Sequence, residues 1–147
     1  NLRGSHMRFL DANIFIYAYY KPKKQLTEKE HQMKQHAKTI ISNISKGKED
    51  IMITVVHVSE VANILKHGMP QDQLTAIIRG LFMLDNVTIM DVTKDAYFAA
   101  TELGEDLKLE PNDALAVDVM RQNNLAEIYS FDEHFNQIDG VTRLPSL

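Results

Sequence analysis

Four acidic side chains, Asp11, Glu60, Asp113 and Asp132, stand beside runs of the chain that read as buried strands or helix starts. Asp11 ends the apolar run Met7-Arg8-Phe9-Leu10, and Glu60 lies just past the β-branched run Ile51-Met52-Ile53-Thr54-Val55-Val56. Asp113 opens Asn112-Asp113-Ala114-Leu115-Ala116-Val117, and Asp132 follows Glu127-Ile128-Tyr129-Ser130-Phe131. In a parallel α/β sheet, residues just beyond the carboxyl ends of the strands converge on one crevice. Carboxylates gathered there repel one another, so such a cluster calls for a cation, and hard oxygen donors suit a divalent one. A divalent ion held this way can activate water for hydrolysis of a phosphodiester.

Each acid has a plainer reading. Asp11 could cap a helix, Glu60 and Asp113 could complement a helix dipole, and Asp132 could close an Asx turn. Glu60 is flanked by Val58, Val61, Ile64 and Leu65, an apolar setting that favours a pocket over open solvent. What lifts the set above its members is that four separate strand–helix junctions supply an acid to the same expected edge. Asn13 and Ser130, each two residues from one of these acids, are candidates to orient a carboxylate or a metal-bound water. Asp118 lies about 140° round its helix from Asp113, so the two do not share a face. His31 and His36 are five apart, not at the spacing that shares a metal on one helix face, and His57, His67 and His134 have no partner at ligand spacing, which leaves a zinc hydrolase poorly supported. Tyr17, Tyr19 and Tyr20 could stack on bases, with core packing the plainer use.

The elements that must position these residues alternate. Met7–Leu10 predicts a strand and Asn13–Tyr20 a helix, which Pro22 and its neighbouring lysines interrupt. Thr27 with Glu30 makes a capping box for a helix ending near Gly47, with Met33, Ala37, Ile40, Ile41 and Ile44 on one face. Ile51–Val56 predicts a strand, Ser59–Lys66 a helix, and Leu74, Ile77, Ile78, Leu81 and Phe82 an amphipathic helix beyond Gly68 and Pro70. A strand at Val87–Met90 follows, then a helix from Asp95 to about Leu107 capped by Thr93. A further helix over Asp113–Gln122 has Asn112 as its N-cap, and strands follow at Ile128–Phe131 and Val141–Leu144. Strands alternating with helices imply a parallel sheet covered on both faces.

Composition bounds the class. The chain has 44% hydrophobic and 24% charged residues, ordinary for a globular domain, and no cysteine, which removes disulfides and thiolate metal sites. Residues 1–6, with Gly4-Ser5-His6 before Met7, read as an expression-tag remnant, and residues 7–147 as a single domain. No run approaches the roughly 18 apolar residues of a membrane span and no signal-peptide pattern follows Met7, so a cytoplasmic protein is expected. The net charge of −4 argues against simple non-specific nucleic-acid binding. Yet 8 of the 16 lysines and arginines lie between Lys21 and Lys48, a basic segment able to hold a phosphate backbone locally or simply to form a solvated helix face.

Four segments carry a family resemblance: Phe9-Leu10-Asp11-Ala12-Asn13, Val58-Ser59-Glu60-Val61-Ala62-Asn63, Asn112-Asp113-Ala114-Leu115-Ala116 and Ser130-Phe131-Asp132-Glu133-His134-Phe135. In order and spacing they resemble PIN-domain ribonucleases, and among these the small VapC-type toxins, over essentially all of residues 7–147. The resemblance implies a three-layer α/β/α sandwich around a five-stranded parallel sheet, Mg²⁺ or Mn²⁺ dependence, RNA cleavage, an antitoxin partner and frequent homodimers. It also implies that Asp11, Glu60, Asp113 and Asp132 are the acidic quartet, with Asn13 and Ser130 at positions often polar. Nothing is carried onto Asp118, and the lysine-rich segment from Lys21 to Lys48 is more elaborate than in the shortest members. Rival readings are an RNA- or protein-binding scaffold of the same fold without turnover, and a housekeeping RNA-processing nuclease with no antitoxin. A haloacid-dehalogenase-type phosphatase wants a second acid two residues after the first, where this chain has Asn13. A phosphoacceptor receiver domain would leave Glu60 and Asp132 without a role.

Overall fold

The computed structural model describes residues 6–147, so of the expected tag remnant residues 1–5 lie outside the described residues. Five strands, β1 (Arg8–Leu10), β2 (Ile51–Thr54), β3 (Val87–Met90), β4 (Glu127–Tyr129) and β5 (Thr142–Leu144), form one sheet in the order β3-β2-β1-β4-β5. Every pairing is parallel, with Phe9 opposite Met52 on one side and Ile128 on the other. Six helices connect or flank them: α1 (Ala12–Tyr19), α2 (Glu28–Ser45), α3 (Val55–Leu65), α4 (Gln71–Met83), α5 (Lys94–Leu107) and α6 (Pro111–Gln122). A short 3-10 helix, Glu133–Gln137, lies between β4 and β5.

The strands are short apolar runs because both faces of the sheet are covered, and their side chains divide by the two-residue period of a strand. Leu10, Ile51, Ile53 and Tyr129 join a core with Ile14 and Phe15 of α1, Ile40 and Ile44 of α2, and Val58 and Val61 of α3. Phe9, Met52 and Ile128 point the other way, into a core with Ala100 of α5, with Leu115 and Met120 of α6, and with Phe135. Phe9, Phe15 and Phe135 are almost wholly buried, and each such side chain contributes about 1.5–3 kcal/mol of apolar burial. These two cores on opposite faces make the three layers that the alternation of elements implied.

Local sequence signals set most boundaries. The capping box at the start of α2 is complete: Glu30 N–H donates to Thr27 Oγ1 at 3.1 Å and Thr27 N–H to Glu30 Oε1 at 2.9 Å. Thr93 caps α5 by accepting from Ala96 N–H at 3.1 Å. Two expectations need correction. The β-branched run does not stay extended to Val56, because the Thr54 hydroxyl accepts from His57 N–H at 3.2 Å and starts α3 at Val55. Here a side-chain cap overrides β-propensity, which is context-dependent. Asn112 is not the cap of α6. Glu110 holds that place without a side-chain cap bond and Pro111 is the first helical residue, where its missing N–H needs no partner.

Helices α5 and α6 meet at a glycine. A Cβ on Gly104 of α5 would lie 2.6 Å from the Leu109 carbonyl oxygen and 3.3 Å from Ala114 Cβ of α6. Only a residue without a side chain allows this approach, which seats α6 against the sheet and places its N-terminus at the strands' carboxyl edge.

Candidate metal centre

The strand order determines where the crevice must open. From β1 the chain builds outward to β2 and β3, then returns to β4 beside β1 and continues to β5. The reversal falls between β1 and β4, and at such a point the loops leaving the two strands part and leave a crevice at their carboxyl ends. Asp11 leaves β1 there and Ser130-Phe131-Asp132 leaves β4, held in step by Asp11 N–H donating to the Tyr129 carbonyl at 3.0 Å.

Asp11 occupies the N-cap position of α1, yet its carboxylate makes no cap hydrogen bond. It accepts instead from the Ser130 hydroxyl, Oγ to Oδ2 at 2.7 Å. Ser130 is fully buried and is a hub: its oxygen also accepts from Asp132 N–H at 3.0 Å and lies 3.4 Å from Asn13 Nδ2. Asn13 closes the loop through its Oδ1, which accepts from Phe131 N–H at 3.3 Å. The backbone behind Ser130 is held too. Arg143 of β5 donates to the Ser130 carbonyl at 3.1 Å and to Asn136 Oδ1 at 2.8 Å.

Asp132 caps the 3-10 helix: its Oδ1 accepts from His134 N–H at 2.9 Å and lies 2.7 Å from His134 Nδ1. Asp113 lies in the first turn of α6. That turn is tied to α3 by His57, whose Nε2 is 3.0 Å from the Asn112 carbonyl and whose Nδ1 is 2.7 Å from Thr54 Oγ1. A carbonyl can only accept, so Nε2 carries the proton and Nδ1 receives the threonine hydroxyl. His57 is buried, and desolvation pulls its pKa down to about 4, against which the Asn112 hydrogen bond works. It is a neutral strut. Asn112 is further fixed by the hydroxyl of Tyr97, which donates to its Oδ1. Glu60, half-buried on α3, hydrogen-bonds Asn112 at this corner.

Proton affinities show that the acids share one field. Asp113 is pushed up to about 8, first by burial, then by the charges of Asp11 and Asp132, a hydrogen bond with Asp132, and the charge of Glu60. Burial raises Asp11 to about 6, with the Ser130 hydrogen bond opposing and the Asp132 charge adding. Glu60 is raised by burial and by Asp11. Asp118, by contrast, accepts from Gln122 Nε2 at 3.3 Å and is not among the charges that raise the four acids.

Two open clefts flank the acids. One, of about 600 Å³, runs from Asp132 and His134 to Lys29 and Met33 of α2. The other, of about 410 Å³, lies beside Glu60 and Asn112 and is lined by Asn63, Lys94 and Tyr97. Sequence reasoning picked out the acids, Asn13 and Ser130, but not His57, Thr54, Asn112, Tyr97 or Arg143 as their supports. Those contacts span separations such as 55 residues for His57–Asn112, and no local spacing announces them.

A divalent cation can be tested against this donor set. The oxygens are all hard carboxylates, one buried and hydrogen-bonded, and the charges of Asp11, Asp132 and Glu60 raise the hold of Asp113 on a proton, a repulsion that a cation reverses. Among the described residues no three acidic or imidazole side chains stand close enough together to hold an ion as they are. The chemistry of the donors, all carboxylate oxygens, fits such a cation.

A profile of the PIN domain family matches residues 8–141. Mycobacterium tuberculosis VapC20, described as a sarcin-ricin loop cleaving toxin, superposes with TM-score 0.62 at 19% identity, over 86% of this chain and 89% of that one. A toxin–antitoxin complex from Klebsiella pneumoniae gives 0.61 at 18% identity, over 92% and 95%. VapBC2 from Rickettsia felis, bound to a DNA fragment from its promoter, gives 0.60 at 17% identity, over 93% and 96%. At these identities the likeness is one of fold. No curated protein sequence matches significantly.

Proposed function

Since the chain belongs to the PIN-domain family and shares the fold of VapC-type proteins, we propose that it is a cytoplasmic metal-dependent ribonuclease, the toxin of a toxin–antitoxin pair. One observation carries the reading above all: Asp11 leaves β1 and Asp132 follows β4 where the sheet order reverses, and their charges raise the proton affinity of Asp113. An acid so placed has little use in folding alone and a clear one in cation binding.

In this reading Asp11 and Asp113 hold Mg²⁺ or Mn²⁺, with Glu60 and Asp132 completing the set. When bound, the cation supplies charge neutralisation for the phosphodiester and an acidified water for attack. The protein's own groups do the positioning. Ser130, held from behind by Arg143, aims the Asp11 carboxylate. His57 and Tyr97 fix Asn112 and with it the first turn of α6, whose dipole favours the Asp113 carboxylate. Lys29, 3.6 Å from Glu133, lines the cleft beside Asp132, where an RNA backbone would lie.

The partner proteins are an antitoxin and, for a homodimer, a second copy. Two of the similar folds were solved as toxin–antitoxin assemblies, which supports the first. A basic side chain entering the acids is the electrostatically suited inhibitor. Light scattering checks the dimer.

The test is cleavage of a panel of single-stranded and structured RNAs with Mg²⁺, Mn²⁺ or EDTA, comparing wild type with Asp11→Asn. Cutting that needs metal and disappears in the variant is expected. Equal cutting by folded Asp11→Asn, or none by wild type on any RNA, would overturn the assignment, the second outcome favouring the scaffold reading.

A further inference from the structure

A second cavity adjoins the cleft beside Asp132 and differs from it in character. About 500 Å³ in volume, it is walled by Ile16, Tyr17 and Tyr20 of α1 and its end, and by Pro22 and Leu26 of the following loop, with Lys23 and Lys24 at its mouth. The volume is within the range of small-ligand pockets, which pair apolar walls with a few polar groups. Its partition from the acidic cleft is thin. Tyr17 meets Phe131 edge-to-face, with centroids 4.9 Å apart, and Phe131 lines the cleft that holds Asp132. The N-terminal half of α2 serves both spaces: Lys29 and Met33 face the cleft, Glu30 and Lys34 the cavity.

The wall is braced rather than loose. Lys34 Nζ donates to the Tyr17 and Tyr20 carbonyls at 3.0 and 2.7 Å, closing the end of α1. Glu30, the acid at the rim, is engaged by the backbone N–H of Thr27 in the capping box. Lys21 and Lys38 add to the positive field around Lys34, whose proton they help to loosen after burial. Tyr20 is 52% exposed and lines the cavity, so its ring is open to a partner from solvent. Apolar and aromatic walls accept a nucleobase of any kind by stacking, and flanking lysines take the phosphates.

We propose that this cavity is a subsite for one unstacked base of single-stranded RNA flanking the cleavage point, with its backbone phosphates on Lys23 and Lys24. The inference rests on the ribonuclease reading above and extends it: the chain between α1 and α2 becomes a substrate-gripping element set apart from the acids that do chemistry.

The experiment compares wild type with Tyr20→Ala, Tyr20→Phe and the double reversal Lys23→Glu/Lys24→Glu. It measures kcat and KM on an RNA that wild type cleaves, and binding of a 12-nucleotide single-stranded RNA to each in EDTA across a salt series. Circular dichroism confirms the fold of each variant. Tyr20→Ala and the double reversal are expected to raise KM and Kd about 5–10-fold with kcat within about twofold, Tyr20→Phe to behave as wild type, and the reversal to reduce the salt slope by about 1.4. An RNA abasic at the seated position should bind wild type and Tyr20→Ala equally. Variants indistinguishable from an active wild type would overturn the subsite alone, leave the ribonuclease reading intact and leave the cavity to a protein partner. A wild type that neither cuts nor binds RNA would overturn both.

Discussion

The Ser130 hydroxyl donates to Asp11 Oδ2 at 2.7 Å across the junction of β1 and β4, and this bond holds the most buried of the four acids in its ionised form against the cost of desolvation. Ser130 itself exposes no surface. Removing the hydroxyl leaves the Asp11 carboxylate and the Asp132 N–H each short of a partner.

Ser130→Ala should therefore lower metal-dependent cleavage about 10–100-fold, the usual effect of losing a group that orients a metal ligand. Raised Mg²⁺ should recover part of the loss, because the weakened step is holding the cation. Titration of activity against Mg²⁺ in both proteins checks this, and an unchanged half-saturation point would count against it.

Asp113→Asn should separate activity from stability. Cleavage should vanish, while the metal-free protein gains on the order of 1–2 kcal/mol at neutral pH, because folding no longer has to protonate or crowd a carboxylate at that position. The sign with pH follows from the raised pKa. An acid at about 8 in the folded state against 3.8 unfolded favours folding fully below 3.8, and that contribution is lost as pH rises through 8. The stabilising effect of the substitution should thus be small at pH 5 and larger at pH 8, read from urea midpoints in EDTA.

His57 works in the opposite direction. Its pKa is about 4 folded against 6.5 unfolded, so it favours folding above 6.5 and that contribution is lost as pH falls towards 4. His57→Ala should destabilise by about 3 kcal/mol at pH 7, through a cavity beside Phe9 and two lost hydrogen bonds. It should also flatten the acid side of the stability profile, which thermal melts from pH 4 to 7 would record.

Gly104→Ala tests the seating of α6. A methyl group there would press on the Leu109 carbonyl oxygen, so a loss of about 1–3 kcal/mol is expected despite alanine's better helix propensity. Because α6 carries Asp113, cleavage should fall more than the loss of folded protein explains. A stability gain would show that the helices relax apart without strain.

Much of this protein is legible along the chain. The capping pair Thr27 and Glu30, the cap Thr93 and the apolar runs of the strands act within a few residues, so local chemistry announces them, and alternation of those elements implies a parallel sheet. The four acids could be singled out for the same reason, since each stands at a junction that the local pattern marks. Tertiary structure alone decided the rest. Thr54 ended β2 early because its cap met His57, and Asn112 lost the cap of α6 to Glu110 and is instead held between Tyr97 and His57. The Asp11 carboxylate took its hydroxyl partner from a serine 119 residues away. A proton's affinity for Asp113 depends on which charges the fold brings near and how much water it removes, and neither quantity exists until the sheet has closed β4 against β1.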